Sequence, residues 1–128
     1  MRLYLDAAPV IYQVEGIPPF NVVVQARLAV PGVVKFATEL TRMECRVIPL
    51  RLGDVARLQQ FDNFFASVTI LDINLAVFEM AADIRARYPA FKTPDALHLA
   101  DAVVHGCDVY LTGDRRLASF TGITVEIT

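Results

Sequence analysis

Short apolar segments alternate with longer segments of helical character along this chain, and this alternation limits the fold more than any other feature. The short segments predict five strands, at residues 2–6, 32–37, 68–71, 108–112 and 122–128. Parallel strands need a long crossover connection, which is usually a helix. Strands that alternate with helices therefore predict an α/β fold with a mainly parallel sheet.

The segments between the strands predict helices at residues 7–14, 17–30, 38–47, 52–67, 73–88 and 93–105. Segment 17–30 is ambiguous, because its two adjacent prolines suit a helix start whereas its valines favour a strand; we interpret it as a helix. Thr38 and Thr93 are predicted N-caps, and Asp72 is predicted to cap the helix at 73–88. Pro94 then occupies the first helical position, and Gly106 ends that helix.

The composition fits one domain over residues 1–128 and points to a partner surface. Apolar residues make up 55% of the chain, which is rich for a soluble protein, while no uncharged apolar run is long enough to cross a membrane. Asp6 interrupts the only N-terminal stretch that a signal peptide could use, so we predict no export. Neither Cys45 nor Cys107 has a CxxC spacing, as expected of a reduced cytoplasmic protein. The formal net charge of −2 excludes a broadly basic nucleic-acid binder.

Four acidic residues fall where a parallel sheet would bring them to one edge. Asp6 ends the first predicted strand and Asp114 follows the fourth, whereas Asp95 lies in the first turn of the helix before that strand. Glu44 lies about one and a half turns into the helix that follows the second strand. Open parallel sheets bind ligands outside the carboxyl ends of their strands. Asp6 and Asp114 could instead cap helices, Asp95 could complement a helix dipole and Glu44 could be a solvated helix residue, so both interpretations stay open.

Carboxylates in one cleft repel one another, by roughly 3 kcal/mol for a pair about 5 Å apart at an effective dielectric near 20. Such a cluster is unfavourable unless a cation occupies it or some of the acids stay protonated. An all-oxygen site selects a hard ion, and we predict Mg²⁺ or Mn²⁺. No His or Cys spacing in the chain suits structural zinc.

Three segments carry a resemblance to a known family. "LYLDAAPVIY", "TELTRMECRV" and the long "TPDALHLADAVVHGCDVYLTGDRRL" resemble the PIN-domain ribonucleases, and within them the VapC toxins of toxin–antitoxin pairs. The resemblance covers nearly the whole chain. It implies a three-layer fold with a five-stranded parallel sheet flanked by helices. It also implies that Asp6, Glu44, Asp95 and Asp114 are the site acids.

The activity that the resemblance implies is Mg²⁺- or Mn²⁺-dependent cleavage of RNA, blocked by a cognate antitoxin. We predict Asp6 and Asp95 as the first metal ligands, with Glu44 and Asp114 holding a second ion or positioning water. The apolar excess together with the resemblance predicts a homodimer. Nothing in the residues alone separates RNA from DNA as the substrate.

Three polar residues near the acids are candidates for substrate binding: Thr112, Arg115 and Lys92. Most nucleic-acid contacts go to the phosphate backbone, which cations suit.

The chain departs from the family pattern beside two of its acids. Ala7 and Ala8 replace the hydroxyl and amide residues that usually follow the first acid, and Gly113 stands where an Asn often precedes the fourth. These departures support an alternative, a weakly active or non-catalytic PIN-like module that binds RNA or protein.

Asp95, His98, Asp101 and His105 share one helix face. This face could bind a metal, but we interpret it as a polar stripe that faces solvent or a cleft. Asp72 ends the third strand, where a phospho-receiver domain would carry its acceptor. No Lys follows strand four or five, so this rival ranks low.

Overall fold

The computed structural model describes all residues 1–128 as alternating strands and helices. The strands are β1 (Arg2–Leu5), β2 (Val34–Thr38), β3 (Thr69–Leu71), β4 (Val109–Thr112) and β5 (Thr124–Ile127). The helices are α1 (Ala7–Glu15), α2 (Phe20–Leu28), α3 (Glu39–Leu52), α4 (Val55–Phe65), α5 (Leu75–Arg87) and α6 (Thr93–Val104), and a 3₁₀ turn spans Arg115–Ser119. The predicted α/β fold is confirmed, and the ambiguous segment before β2 forms the helix α2.

The five strands form one sheet in the order β3-β2-β1-β4-β5, and every pair is parallel. Side chains alternate across such a sheet, so consecutive residues of one strand enter opposite cores. Leu3 and Leu5 lie in one buried cluster, whereas Tyr4 between them lies in the other with Tyr110. The sheet is thus covered on both faces, which explains why the consecutive residues Leu3, Tyr4 and Leu5 of the central strand are all apolar and buried.

Several predicted helix boundaries are wrong: α2 spans 20–28 rather than 17–30, and α4 spans 55–65 rather than 52–67. Helix α3 does not stop before Pro49 but continues to Leu52, and Gly53 ends it in the left-handed conformation with φ 63°. Pro49 lies in the last turn, where its missing N–H removes one bond of the helix ladder. Asn74, rather than Asp72, caps α5 by accepting a hydrogen bond from the backbone N–H of Val77 at 3.2 Å.

A further wrong boundary is at α6. Lys92 occupies the N-cap position and Thr93 is the first helical residue, so the helix starts one position earlier than predicted, when Thr93 was expected as the N-cap. The backbone N–H of Lys92 instead donates to Asp95 Oδ2 at 2.9 Å, so the Asp95 side chain caps the start of this helix.

No helix of the structure is both long enough and apolar enough to cross a membrane.

The topology gathers three strand ends at the centre of the sheet. β1 lies between β2 and β4, so their carboxyl ends are adjacent. Asp6 directly follows β1, Thr38 ends β2 and Thr112 ends β4. Asp6 therefore lies at the centre of the carboxyl edge of the sheet.

Candidate functional site

Asp6 is held rigidly at the central strand end. Its backbone N–H donates to Leu111 O at 3.0 Å, which extends the β1–β4 ladder by one bond. Oδ1 accepts the backbone N–H of Ala7 at 2.8 Å and so caps α1, while Oδ2 accepts the hydroxyl of Thr112 at 2.8 Å. Its side chain is 17% exposed. Capping therefore fixes this carboxylate without burying it away from a ligand.

His98 brings Asp6 and Glu44 together. Its Nε2 lies 2.5 Å from Glu44 Oε1 and 3.8 Å from Asp6 Oδ1. The imidazole is 2% exposed, whereas Glu44 is 35% exposed. One ligand atom from each of these three residues lies within 4.8 Å of the others, a spacing that could hold a metal ion.

The protonation of His98 reflects its neighbours. Burial by itself lowers the pKa of His98, but the hydrogen bond to Glu44 and the negative charges of Asp6 and Glu44 together outweigh it. The pKa of His98 is therefore raised, so the positively charged imidazole is favoured between these carboxylates. On its other side, Nδ1 lies 2.8 Å from the hydroxyl of the fully buried Tyr4.

Asp95 and Asp114 share a different partner. Arg116 Nη2 lies 2.5 Å from Asp114 Oδ2 and 3.3 Å from Asp95 Oδ2, so one guanidinium bridges the two carboxylates. The hydrogen bonds from Arg116 lower the pKa of Asp114, and the same bonds raise the pKa of Arg116. Asp114 also accepts the backbone N–H of Arg116 at 3.0 Å, which caps the 3₁₀ turn.

Thr112 connects the two groups of acids. Besides donating to Asp6, its hydroxyl accepts the backbone N–H of Asp114 at 3.0 Å. Thr112 is fully buried. A single hydroxyl therefore sets the position of Asp6 relative to the chain that carries Asp114.

The segment before Asp114 packs closely on α1. A Cβ at Gly113 would lie 3.1 Å from Ala8 Cβ and 3.1 Å from the hydroxyl oxygen of Tyr12. Both contacts are tighter than ordinary van der Waals separation, so a larger residue at 113 would require Ala8 and Tyr12 to shift by a few tenths of an ångström. The departures at Ala8 and Gly113 are thus two sides of one close contact.

The other two candidates for substrate binding, Lys92 and Arg115, are exposed. Lys92 and Arg115 lie at the surface, and neither side chain forms a salt bridge in the structure. Their charges are therefore available beside Asp95 and Asp114, their neighbours in sequence.

The predicted polar stripe on α6 is wrong at two of its four positions. His98 and Asp101 are buried rather than facing solvent or an open cleft. Burial raises the pKa of Asp101 to about 6, against the smaller opposing effects of His105 and His98. His105 Nδ1 lies 3.1 Å from Asp101 Oδ1. The sequence pattern favoured this polar stripe over a metal-binding face for His98, which lies one turn after Asp95 on the same side of the helix.

The donor chemistry fits a divalent cation. The three-residue set that converges on one point is Asp6, Glu44 and His98. Asp95 and Asp114 are tied to it through Thr112 and α6 rather than by direct contact with it, and they already hold a cationic group in Arg116. Partly exposed carboxylates arranged around positive charge are suitable ligands for Mg²⁺ or Mn²⁺.

Comparison with known proteins gives a family and a fold. A PIN domain family model matches residues 3–123. No curated protein matches the sequence. Among solved structures, VapBC2 from Rickettsia felis bound to a promoter DNA fragment is similar with a TM-score of 0.82 at 13% identity, over 100% of this chain and 99% of that one.

Two further structures share the fold. A toxin–antitoxin complex from Klebsiella pneumoniae has a TM-score of 0.74 at 21% identity, with 95% of each chain covered. VapBC-5 from Mycobacterium tuberculosis, of the VapBC family of toxin–antitoxin systems, has a TM-score of 0.69 at 20% identity, over 98% of this chain and 96% of that chain.

Proposed function

The chain belongs to the PIN domain family, and from that premise we propose that residues 1–128 form one VapC-like toxin domain that hydrolyses RNA with Mg²⁺ or Mn²⁺. The observation that carries the proposal is the arrangement of acids at the carboxyl edge of the sheet. Asp6 and Glu44 converge on His98, and Asp95 and Asp114 converge on Arg116. Each pair is thus arranged around a positively charged partner, which offsets its repulsion.

In this proposal Asp6 and Asp95 are the first metal ligands, and Glu44 and Asp114 hold a second ion or position water. Asp6 suits a ligand role because two hydrogen bonds fix its carboxylate while it stays partly exposed. When bound, a divalent ion lowers the pKa of a coordinated water and offsets charge on the phosphate.

The chain's own cations would position the substrate. Lys92 and Arg115 are exposed beside the acids and suit contacts to the phosphate backbone. Thr112 is buried, so we propose that it acts on the substrate through Asp6 and Asp114 rather than by touching it. Arg116 must release Asp95 and Asp114 if both are to bind an ion, and it then becomes a further cation for phosphate.

We also propose a cognate antitoxin and a homodimer. The structures that share this fold include toxin–antitoxin complexes, which supports a protein partner. Large apolar side chains are exposed on several helices, among them Met43, Ile48 and Leu52 of α3 and Phe78 of α5. Exposed apolar area of this kind is typical of interaction surfaces.

Cleavage of total RNA tests the proposed activity. The purified chain, freed of any partner, should cut RNA in Mg²⁺ or Mn²⁺, stop in EDTA and leave 5′-phosphate and 3′-hydroxyl ends. Asp95→Asn should abolish cleavage, whereas the matched control Asp83→Asn should not, because Asp83 lies on α5 in an exposed pair with Arg87. DNA added as the substrate decides which nucleic acid is preferred.

The products also separate the proposal from its alternatives. Cleavage that persists in EDTA, or 2′,3′-cyclic phosphate ends, would refute metal-dependent hydrolysis. RNA binding without any cleavage would favour the non-catalytic module, which Ala7 and Ala8 support because neither offers a side-chain oxygen beside Asp6.

A further inference from the structure

His98 has a contact pattern that the four-acid site does not use. Its Nε2 faces Glu44 Oε1 and Asp6 Oδ1, and the three residues come from separate elements: the end of β1, α3 and α6. The three ligand atoms lie within 4.8 Å of one another. The imidazole is also enclosed, at 2% exposure, so its ring has little room to turn away.

The ring is oriented from behind by Tyr4. Nδ1 lies 2.8 Å from the Tyr4 hydroxyl, and that hydroxyl lies 3.3 Å from Thr38 Oγ1. The two rings also meet edge to face, with centroids 5.9 Å apart and planes at 69°. Nδ1–H can thus donate to Tyr4 while the Tyr4 hydroxyl donates to Thr38, and if a metal ion replaced the Nε2 proton that faces Glu44, the Nε2 lone pair would face that ion. A metal-ligating His normally uses its second nitrogen in this way.

Resting on the proposed function, we propose that His98 is a metal ligand together with Asp6 and Glu44, so that the site prefers a first-row transition ion such as Mn²⁺ over Mg²⁺. Carboxylates and water suffice for Mg²⁺, which rarely accepts nitrogen ligands from proteins. Imidazole is a softer donor and favours transition ions. A ligand set of one nitrogen and two carboxylates therefore favours Mn²⁺ over Mg²⁺, whereas the four acids alone do not distinguish between these ions.

A purely structural role for His98 makes a different prediction. In that case Nε2–H keeps its hydrogen bond to Glu44 Oε1 whether or not an ion is bound, and no nitrogen contacts the metal. The two roles can be separated by spectroscopy on the intact chain, without any measurement of RNA cleavage.

The test is pulsed electron paramagnetic resonance of the Mn²⁺-loaded protein, which detects a ¹⁴N nucleus bound to the ion. The chain contains two histidines. His105→Gln removes the other histidine, which lies at the C-cap of α6 and pairs with Asp101. We expect the ¹⁴N signal in the parent and in His105→Gln, its replacement by a ¹⁵N signal after ¹⁵N-histidine labelling, and its loss in His98→Gln.

Competition between Mn²⁺ and Mg²⁺, followed by titration calorimetry, gives the second readout. His98→Gln should reduce the preference for Mn²⁺ by roughly tenfold or more, whereas His105→Gln should leave it unchanged. The labelled parent and His105→Gln decide the assignment even if His98→Gln fails to fold.

Three results would overturn the inference in distinguishable ways. Bound Mn²⁺ without a ¹⁴N signal would exclude His98 as a ligand and leave metal-dependent hydrolysis standing. Loss of the ¹⁴N signal in His105→Gln would show that His105, rather than His98, binds the ion. Mn²⁺ that remains fully hydrated at millimolar concentration would overturn both this inference and the metal dependence of the proposed function.

Discussion

The hydroxyl of Thr112 is the contact whose removal tests the site most directly. Thr112 is fully buried; its hydroxyl donates to Asp6 Oδ2 at 2.8 Å and accepts the backbone N–H of Asp114 at 3.0 Å. Thr112→Val keeps the branched shape and deletes both hydrogen bonds. The variant therefore separates the link between Asp6 and Asp114 from simple packing of β4.

The expected loss follows from the two bonds. A hydrogen bond to a charged group contributes about 1.5–3 kcal/mol, and a backbone N–H left without its partner costs about 1 kcal/mol more. The additional apolar methyl group offsets part of this. We expect the free energy of unfolding to fall by about 2–4 kcal/mol. Loss of a residue that orients a metal ligand should also weaken Mn²⁺ binding by roughly 10–100-fold.

Urea unfolding at pH 7 measures the first effect, and titration calorimetry with Mn²⁺ measures the second. Thr41→Val is the matched control, because Thr41 is also fully buried but its hydroxyl makes only bonds of 3.4 Å, to Leu5 O and to the N–H of Thr38. The control should lose about 1 kcal/mol or less and bind Mn²⁺ normally. Equal losses of stability in the two variants, with unchanged Mn²⁺ affinity in Thr112→Val, would refute the positioning role.

Three other perturbations test separate parts of the structure. Because the pKa of Asp101 is raised from 3.8 to about 6, the folded chain binds more protons than the unfolded chain between those pH values. Its unfolding free energy should therefore fall by at most about 3 kcal/mol as pH rises through that range. Asp101→Asn should flatten this dependence in urea melts from pH 4 to 8, and an unchanged slope would contradict the assignment. Arg116→Gln should raise Mn²⁺ affinity in calorimetry, because Arg116 competes for Asp95 and Asp114, whereas Arg115→Gln, which removes the same charge, should change it less; equal effects would refute the competition. Light scattering should show a homodimer, and a monomer at high concentration would reject that part of the proposal.

Much of the fold is determined by local sequence. The alternation of apolar strands with helices specified an α/β sheet, because a strand buried on both faces has a nearly continuous run of apolar residues. The places of Asp6 and Asp114 relative to the strand ends followed from the same pattern, since side chains after parallel strands meet at one edge. Local hydrogen bonding at helix starts was less predictable: Asn74 and Asp72 both suit an N-cap, and it is Asn74 that caps α5 in the structure.

The tertiary structure decided which charges meet. From the sequence, His98 and Asp101 are assigned to a polar stripe. The pattern of one helix does not reveal whether another part of the fold covers its polar face. Packing of α6 against the sheet buries both, and it places His98 between Asp6 and Glu44, which lie far from it along the chain. Hydrophobic periodicity predicts which face of a helix is buried, but not which residues contact that face. The identity of a buried polar residue's partner depends on contacts across the sheet, which no single segment of sequence contains.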